Sequence, residues 1–269
     1  VPQLPPAAAQ YRLQLLRTYL RTERGAVRVV ASTPGELVDA IRELQPSGIR
    51  SLAPLMRATD GVLAAQRAAL RSQLASGYEG IADATLRYQA ARSAVPIFST
   101  KTIQRLTQQA ERAVIAGKNV GQRISLLSGA ERTALRQRFV LGLRQGAAPE
   151  HLIHAVEQYY VGVSTGAAGP AYAARRLVQS ELTRLNGRVA EEAAYLIRKE
   201  TGIITVLIYH TQGDDRVRDS HEALEGQFFV EDEVEIQISE ARPVSEALDA
   251  LSDPNCRCWL DVDHYVEAA

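Results

Sequence analysis

The chain has 269 residues, 46% of them hydrophobic and 23% charged, an ordinary globular composition that excludes a disordered tail, a collagen and a disulfide-stapled miniprotein. No apolar run approaches the roughly 18–20 residues of a membrane span, and Val1-Pro2-Gln3-Leu4-Pro5-Pro6 lacks the basic and apolar regions of a signal peptide, so no span and a cytosolic origin are expected. The formal net charge is zero, yet residues 1–200 hold 27 Lys and Arg against 15 Asp and Glu, a balance of +12, whereas residues 201–269 hold 4 against 16, a balance of −12. Such polarity suits a basic part that faces something anionic and an acidic part that faces something else, or neighbouring copies that attract end to end.

The first 200 residues read as successive helices. Tyr11 to Arg24 places Leu13, Leu16 and Leu20 on one face and Arg17, Arg21 and Arg24 on another, an amphipathic basic helix. Thr33-Pro34-Gly35-Glu36 has the spacing of a capping box with proline at the first helical position, so a new helix is expected there, ending at Pro46-Ser47-Gly48. A helical tract over 49–94 is expected to break near Gly77 to Gly80, and Val95-Pro96 stops it. Ser99 or Thr100 caps the next helix, which runs to Ala116. After a turn at Gly117 to Gly121, Ser128-Gly129-Ala130-Glu131 is read as a second capping box that starts a helix to Arg144. A turn through Pro149 precedes a short helix with Leu152, Ile153 and Val156, and Ser164 to Pro170 forms a linker. From Tyr172 to Lys199, apolar residues step by three or four through Val178, Leu182, Leu185, Val189, Ala193 and Leu196.

The pattern changes at Thr201-Gly202. Ile203 to Tyr209 is a β-branched run of strand length, uniformly apolar, and is expected to be buried on both faces. Asp214 to His221 reads as a turn entering a short helix that Gly226 ends, followed by strands at Gln227 to Val230, Val234 to Ile238 and Arg257 to Val262. The expected fold is mostly α with a small C-terminal α+β unit: an elongated multi-helix region followed by a compact acidic domain.

Gln179-Ser180-Glu181 on the long helix, the strand after it, Asp214-Asp215-Arg216-Val217-Arg218-Asp219-Ser220-His221, Leu224-Glu225-Gly226-Gln227 and the closing Pro254-Asn255-Cys256-Arg257-Cys258 follow one another in an order that resembles the phage Mu F-like head morphogenesis family, the minor capsid proteins of tailed bacteriophages. The family usually carries arginine before the Ser-Glu or Thr-Glu pair. Gln179 stands there in this chain, leaving Glu181 as the matching residue. The resemblance divides the chain into a basic helical region, 1–125, and a Mu F-like domain, 126–269, with helices over 130–200 and the acidic α+β unit over 202–269. It implies a structural virion protein in several copies at the portal vertex of the phage head, in contact with portal protein and capsid, made in the host cytoplasm and acting in head assembly and in DNA packaging or ejection. Domains of this family also occur fused to toxins, so the alternative is a virion-delivered enzyme.

Among the motif residues, Glu181, Asp215, Arg216, Arg218, Asp219 and Gly226 are read as structural, the aspartates capping a short helix and pairing with guanidinium groups. His221, Cys256 and Cys258 are candidate zinc ligands. Thiolates and imidazole are zinc's normal donors, a fourth ligand is available from Asp215, Asp219, His210 or His264, and cysteines one residue apart rarely meet disulfide geometry. Arg17, Arg21 and Arg24 are candidate contacts to DNA or to an acidic portal surface, electrostatic and without base readout. Ser99-Thr100 with Glu233-Val234-Glu235 resembles the Ser-Thr and Glu-x-Glu elements of ADP-ribosyltransferases, which need both on facing strands. Ser99 sits at a helix start, and no phosphate-cradling glycine loop or assembled nucleophile motif is present. No catalytic residue is assigned.

Overall fold

A computed structural model describes residues 6–45, 49, 51–93, 99–113, 117–146, 148–164, 169–211, 217–232, 241–251 and 258–267. Among these, the elements in chain order are α1 (Pro6–Leu44), α2 (Leu52–Ser93), α3 (Thr100–Arg112), α4 (Val120–Arg144), α5 (Pro149–Ser164), α6 (Pro170–Thr201), β1 (Ile203–His210), α7 (Asp219–Glu222), β2 (Phe228–Val230), β3 (Arg242–Pro243), α8 (Val244–Leu251) and β4 (Trp259–Glu267). The expected class, mostly helical with a small C-terminal sheet, is the observed one. The chain forms two compact units. One gathers Val1–Arg21, Ala75–Ile115 and Val178–Ala269, and the other Thr22–Leu74 and Ala116–Leu177.

In the first unit, β1 is central to a sheet of order β3-β2-β1-β4. β1 pairs antiparallel with β2 and with β4, and β2 pairs parallel with β3. The six inner residues of β1 are buried, Thr205 among them, as the predominantly apolar run predicts. Leu207, Tyr209, Phe229 and Leu260 of the sheet pack with Leu248 and Leu251 of α8. α8 lies close to α6 at Gly187, where a Cβ would stand 2.5 Å from Leu251 Cδ1 and 2.8 Å from Leu248 Cδ2, so any side chain there would overfill the core. Trp259 has the Arg12 guanidinium 4.7 Å from its ring centroid and the His210 ring stacked at 5.4 Å.

Four local expectations are corrected. α1 is a single helix, so Thr33-Pro34-Gly35-Glu36 is not a helix start. Buried positions at Tyr11, Leu15, Thr22, Ala26, Val30, Thr33, Leu37 and Ile41 keep helical spacing through Pro34, and Thr33 Oγ1 donates to the Val29 carbonyl at 3.0 Å instead of capping. The buried stripe of its first turns is also not the leucine one: Leu13, Leu16 and Leu20 are 46%, 40% and 40% exposed, while Tyr11, Leu15, Thr18 and Thr22 face inward. Polar residues are tolerated at these positions because their hydroxyls find partners: Tyr11 Oη meets Thr85 Oγ1 at 3.1 Å, and Thr18 Oγ1 donates to the Gln14 carbonyl of its own helix at 3.1 Å. α2 runs unbroken through Gly77 to Gly80; Gly80 makes room for Thr18, whose Cγ2 would lie 2.9 Å from an added Cβ. Finally, α4 opens at Asn119, whose side chain and that of Gln122 form the capping box, so Ser128 and Glu131 lie inside the helix. α6 runs from Pro170 to Thr201. β4 extends further than the expected 257–262, β3 and α8 were not anticipated, and the strand expected at 234–238 lies outside the described residues.

In the second unit, Leu37 and Ile41 of α1, Leu55 of α2, Phe139 of α4 and Val156 of α5 form the apolar core. A buried acid sits in the same unit. Glu131 accepts from Gln66 Nε2 at 3.1 Å and from Tyr160 Oη at 3.2 Å, and Gln66 Nε2 also donates to Thr33 Oγ1 at 3.1 Å. Burial raises the Glu131 carboxyl above its ordinary range despite the Gln66 and Tyr160 bonds. A raised folded-state value means that the stability Glu131 contributes is full below the unfolded glutamate pKa, about 4.3, and is lost as pH rises through the folded value. Glu131→Gln keeps the neutral form's shape and should flatten this slope, leaving the variant more stable than the parent above the carboxylate range. Urea unfolding of both proteins across pH checks this; parallel pH profiles would disprove it.

Candidate functional site

The motif residues of the C-terminal part cluster on α6 and the sheet beside it. Glu181 is buried and accepts from Arg184 Nη2 at 3.0 Å and from Tyr78 Oη at 2.9 Å. Arg184 Nη2 also donates to the Ala110 carbonyl at 3.3 Å. The helix thus supplies a cation for the acid one turn later, with the neutral Gln179 before the Ser-Glu pair. Two residues on, Asn186 uses its whole amide: Nδ2 donates to Tyr11 Oη at 2.8 Å and to Thr85 Oγ1 at 3.0 Å, and Oδ1 accepts the Leu260 N–H at 3.2 Å. Burial pushes the Tyr11 hydroxyl well above its ordinary range, so it stays neutral and available for this network.

β1 and α7 bring a second group together. Arg218 is the N-cap of α7 and Asp219 its first residue, both exposed, and His221 is buried. Tyr209 Oη lies 3.3 Å and Cys258 Sγ 3.6 Å from His221 Nδ1. Gly226 turns the chain from α7 into β2 with φ of 73°, a conformation that favours glycine, and its N–H donates to the Tyr209 carbonyl at 2.9 Å. Beside it, burial opposes ionisation of Glu225, but the Thr211 amide and hydroxyl and His210 hold its carboxyl below the usual range. His210 is engaged with Glu225 and Trp259.

Of the three candidate zinc ligands, His221 and Cys258 meet, while Cys256 lies outside the described residues, as do Asp215 and Arg216. Among the described residues no group of three or more His, Cys, Asp or Glu is placed to hold a metal ion. Ser99 caps α3, its side chain accepting the Thr102 N–H at 3.3 Å, so it does not lie on a strand as the ADP-ribosyltransferase arrangement requires; Glu233 and Glu235 lie outside the described residues. Arg17, Arg21 and Arg24 are all exposed on α1.

Tyr78, Arg184, Asn186 and Tyr209 were not singled out from the sequence. Asn186 had a signal, since asparagine is a poor helix former placed between Leu185 and Val189 of an otherwise apolar stepping pattern. The two tyrosines had none, because a tyrosine at a core position reads as packing.

These clusters define a structural module: a long helix tied by buried polar side chains to a small mixed sheet. Residues 133–261 match the family described as Phage Mu protein F like protein, and over that segment the chain is similar to it. No curated protein and no solved structure matches the chain.

Replacing Arg184 with Met should leave the Glu181 carboxylate buried without its cation and cost about 3–5 kcal/mol. The double variant Glu181→Gln/Arg184→Met removes both charges and should recover most of that loss. Urea unfolding of the three proteins measures it, and a double variant as unstable as Arg184→Met alone would refute the pairing.

Proposed function

We propose that this chain is a structural minor head protein of a tailed phage that sits in several copies at the portal vertex, touches portal protein and capsid, and acts in head assembly and in DNA packaging or ejection. The observation that carries the reading is the Mu F-like match over 133–261. The exposure of Arg17, Arg21 and Arg24 on α1 supports a basic contact surface, for packaged DNA through non-specific electrostatics or for an acidic portal surface. No helix among the described residues is long and apolar enough to cross a membrane, in keeping with a place in the virion head after assembly in the host cytoplasm. Purification with the portal protein of the same phage, with stoichiometry, tests the assignment; a portal that emerges without this chain counts against it. Arg17→Gln/Arg21→Gln/Arg24→Gln should leave folding nearly intact, because exposed charges add little stability, and should weaken retention on portal assemblies or duplex DNA. Retention should also fall with added salt. Binding indifferent to both changes would mean that the arginines do not make the contact.

A structural zinc is proposed for the same domain, held by His221, Cys256 and Cys258. Bonds of 2.3 Å to sulfur and 2.0–2.1 Å to nitrogen at the tetrahedral angle place two zinc ligands about 3.5 Å apart, and the 3.6 Å between Cys258 Sγ and His221 Nδ1 fits that separation. Bound there, the metal would supply folding energy and no chemistry. Purified protein should contain about one zinc per chain, and Cys258→Ser should lose it together with thermal stability. Metal-free protein with unchanged stability on chelation would refute this site.

A further inference from the structure

We propose that the exposed leucine stripe of α1 docks a short acidic amphipathic helix of a partner protein. At about 100° per residue, Leu13, Leu16 and Leu20 fall within about 60° of one another around the helix, and Arg17 and Arg21 line one edge of that stripe. These are the large hydrophobic residues that α1 leaves exposed, at 40–46%, while the opposite face is buried through Tyr11, Leu15 and Thr18. On the far edge Arg12 is engaged on Trp259. The surface is therefore apolar along its middle and cationic along one side.

Its charge and its length select the occupant. Residues 1–22 contain three arginines and no acidic residue, so a partner helix is complementary when carboxylates run along one edge of its apolar stripe, spaced to meet Arg17 and Arg21. A second copy laid against the same stripe brings arginine to arginine and is repelled. Duplex DNA satisfies the arginines and leaves the leucines without a partner. A lipid surface calls for a long apolar face, but the stripe ends after two turns, about 10 Å, where α1 exposes Arg21, Arg24 and Arg28. The exposed leucine area, on the order of 200 Å² against the roughly 800 Å² per partner of a standard interface, suits one helix whose weak hold is multiplied when several copies engage together. The proposal names the partner chemistry of the basic helix and rests on the reading that this helix is a contact surface.

The test uses the full chain with methyl-labelled leucine and a synthetic helical peptide bearing leucines at i, i+3 and i+7 and glutamates along one edge. A companion peptide carries lysine in place of glutamate. The glutamate peptide should shift the methyl signals of Leu13, Leu16 and Leu20 and bind about tenfold tighter than the lysine peptide. Arg17→Glu/Arg21→Glu should reverse that preference, and Leu16→Ala/Leu20→Ala should abolish binding of both peptides. All four positions are exposed, and far-UV circular dichroism confirms that each variant is folded. Unmoved leucine signals, a preference that does not reverse, or the same signals shifted by phosphatidylglycerol vesicles or duplex DNA and not by the glutamate peptide would overturn the proposal. Portal co-purification is read separately: a chain that enters portal assemblies but ignores the peptide loses the docking stripe and keeps the head-protein reading.

Discussion

The side-chain amide of Asn186 is the constraint on which the first unit depends. It sits inside α6, where asparagine is disfavoured, and each of its hydrogen-bonding groups is used: both amide protons go to Tyr11 and Thr85, and the oxygen takes the Leu260 N–H. α1, α2 and the start of β4 are thus referred to one residue of one helix. A buried polar group with all its partners present orders its surroundings, and the same group with one partner missing costs more than an apolar side chain would. The next residue, Gly187, then lets Leu248 and Leu251 of α8 approach the helix directly, so α6 meets polar partners through one position and the apolar core through its neighbour.

Most of this architecture was legible in the sequence where one signal dominated. β1 was legible because a β-branched run bounded by Gly202 leaves little alternative, and the α6 stepping pattern is long enough to average out exceptions. The errors share one cause. Pro34, Gly77 and Gly80 are local breakers, and Ser128-Gly129-Ala130-Glu131 is a local cap, but the buried faces of α1, α2 and α4 run through them. Tertiary burial outweighs local preferences of about 1 kcal/mol for glycine and about 3 kcal/mol for proline. The inward face of the first turns of α1 was not legible for a related reason: hydropathy ranks leucine above threonine and tyrosine, yet Tyr11 has its partner inside and Thr18 satisfies its hydroxyl on the Gln14 carbonyl of its own helix. Of the candidate site, the proximity of His221 to Cys258 was legible from motif order, whereas the Tyr209 hydroxyl between β1 and α7 was not, since nothing in a strand's sequence tells a packed tyrosine from one whose hydroxyl is engaged.

The Mu F-like segment does not hold all the atoms of its own polar core. Glu181, Arg184 and Asn186 lie within residues 133–261, but Tyr78, the Ala110 carbonyl, Tyr11 and Thr85, which complete their hydrogen bonds, all precede residue 133. The stretch 1–125 carries no motif, and it still contributes four of the contacts that keep those buried side chains satisfied. The contributing groups, two tyrosine hydroxyls, one threonine hydroxyl and one backbone carbonyl, are scattered along that stretch and form no local pattern, which is why such a region escapes motif-based reading.

Trp259 is the single tryptophan of the chain, and it stands at the opening of β4 with the guanidinium of Arg12 on its ring and the imidazole of His210 stacked beside it. An indole's excited state responds to charge and to solvent at its faces. The intrinsic emission of this protein is therefore a signal from one place, where α1 meets the sheet, with no second fluorophore of its kind to dilute it. Detachment of α1 would strip the cation from the ring and admit water, so the wavelength and intensity of this one residue separate an opening of the first unit from events elsewhere in the chain.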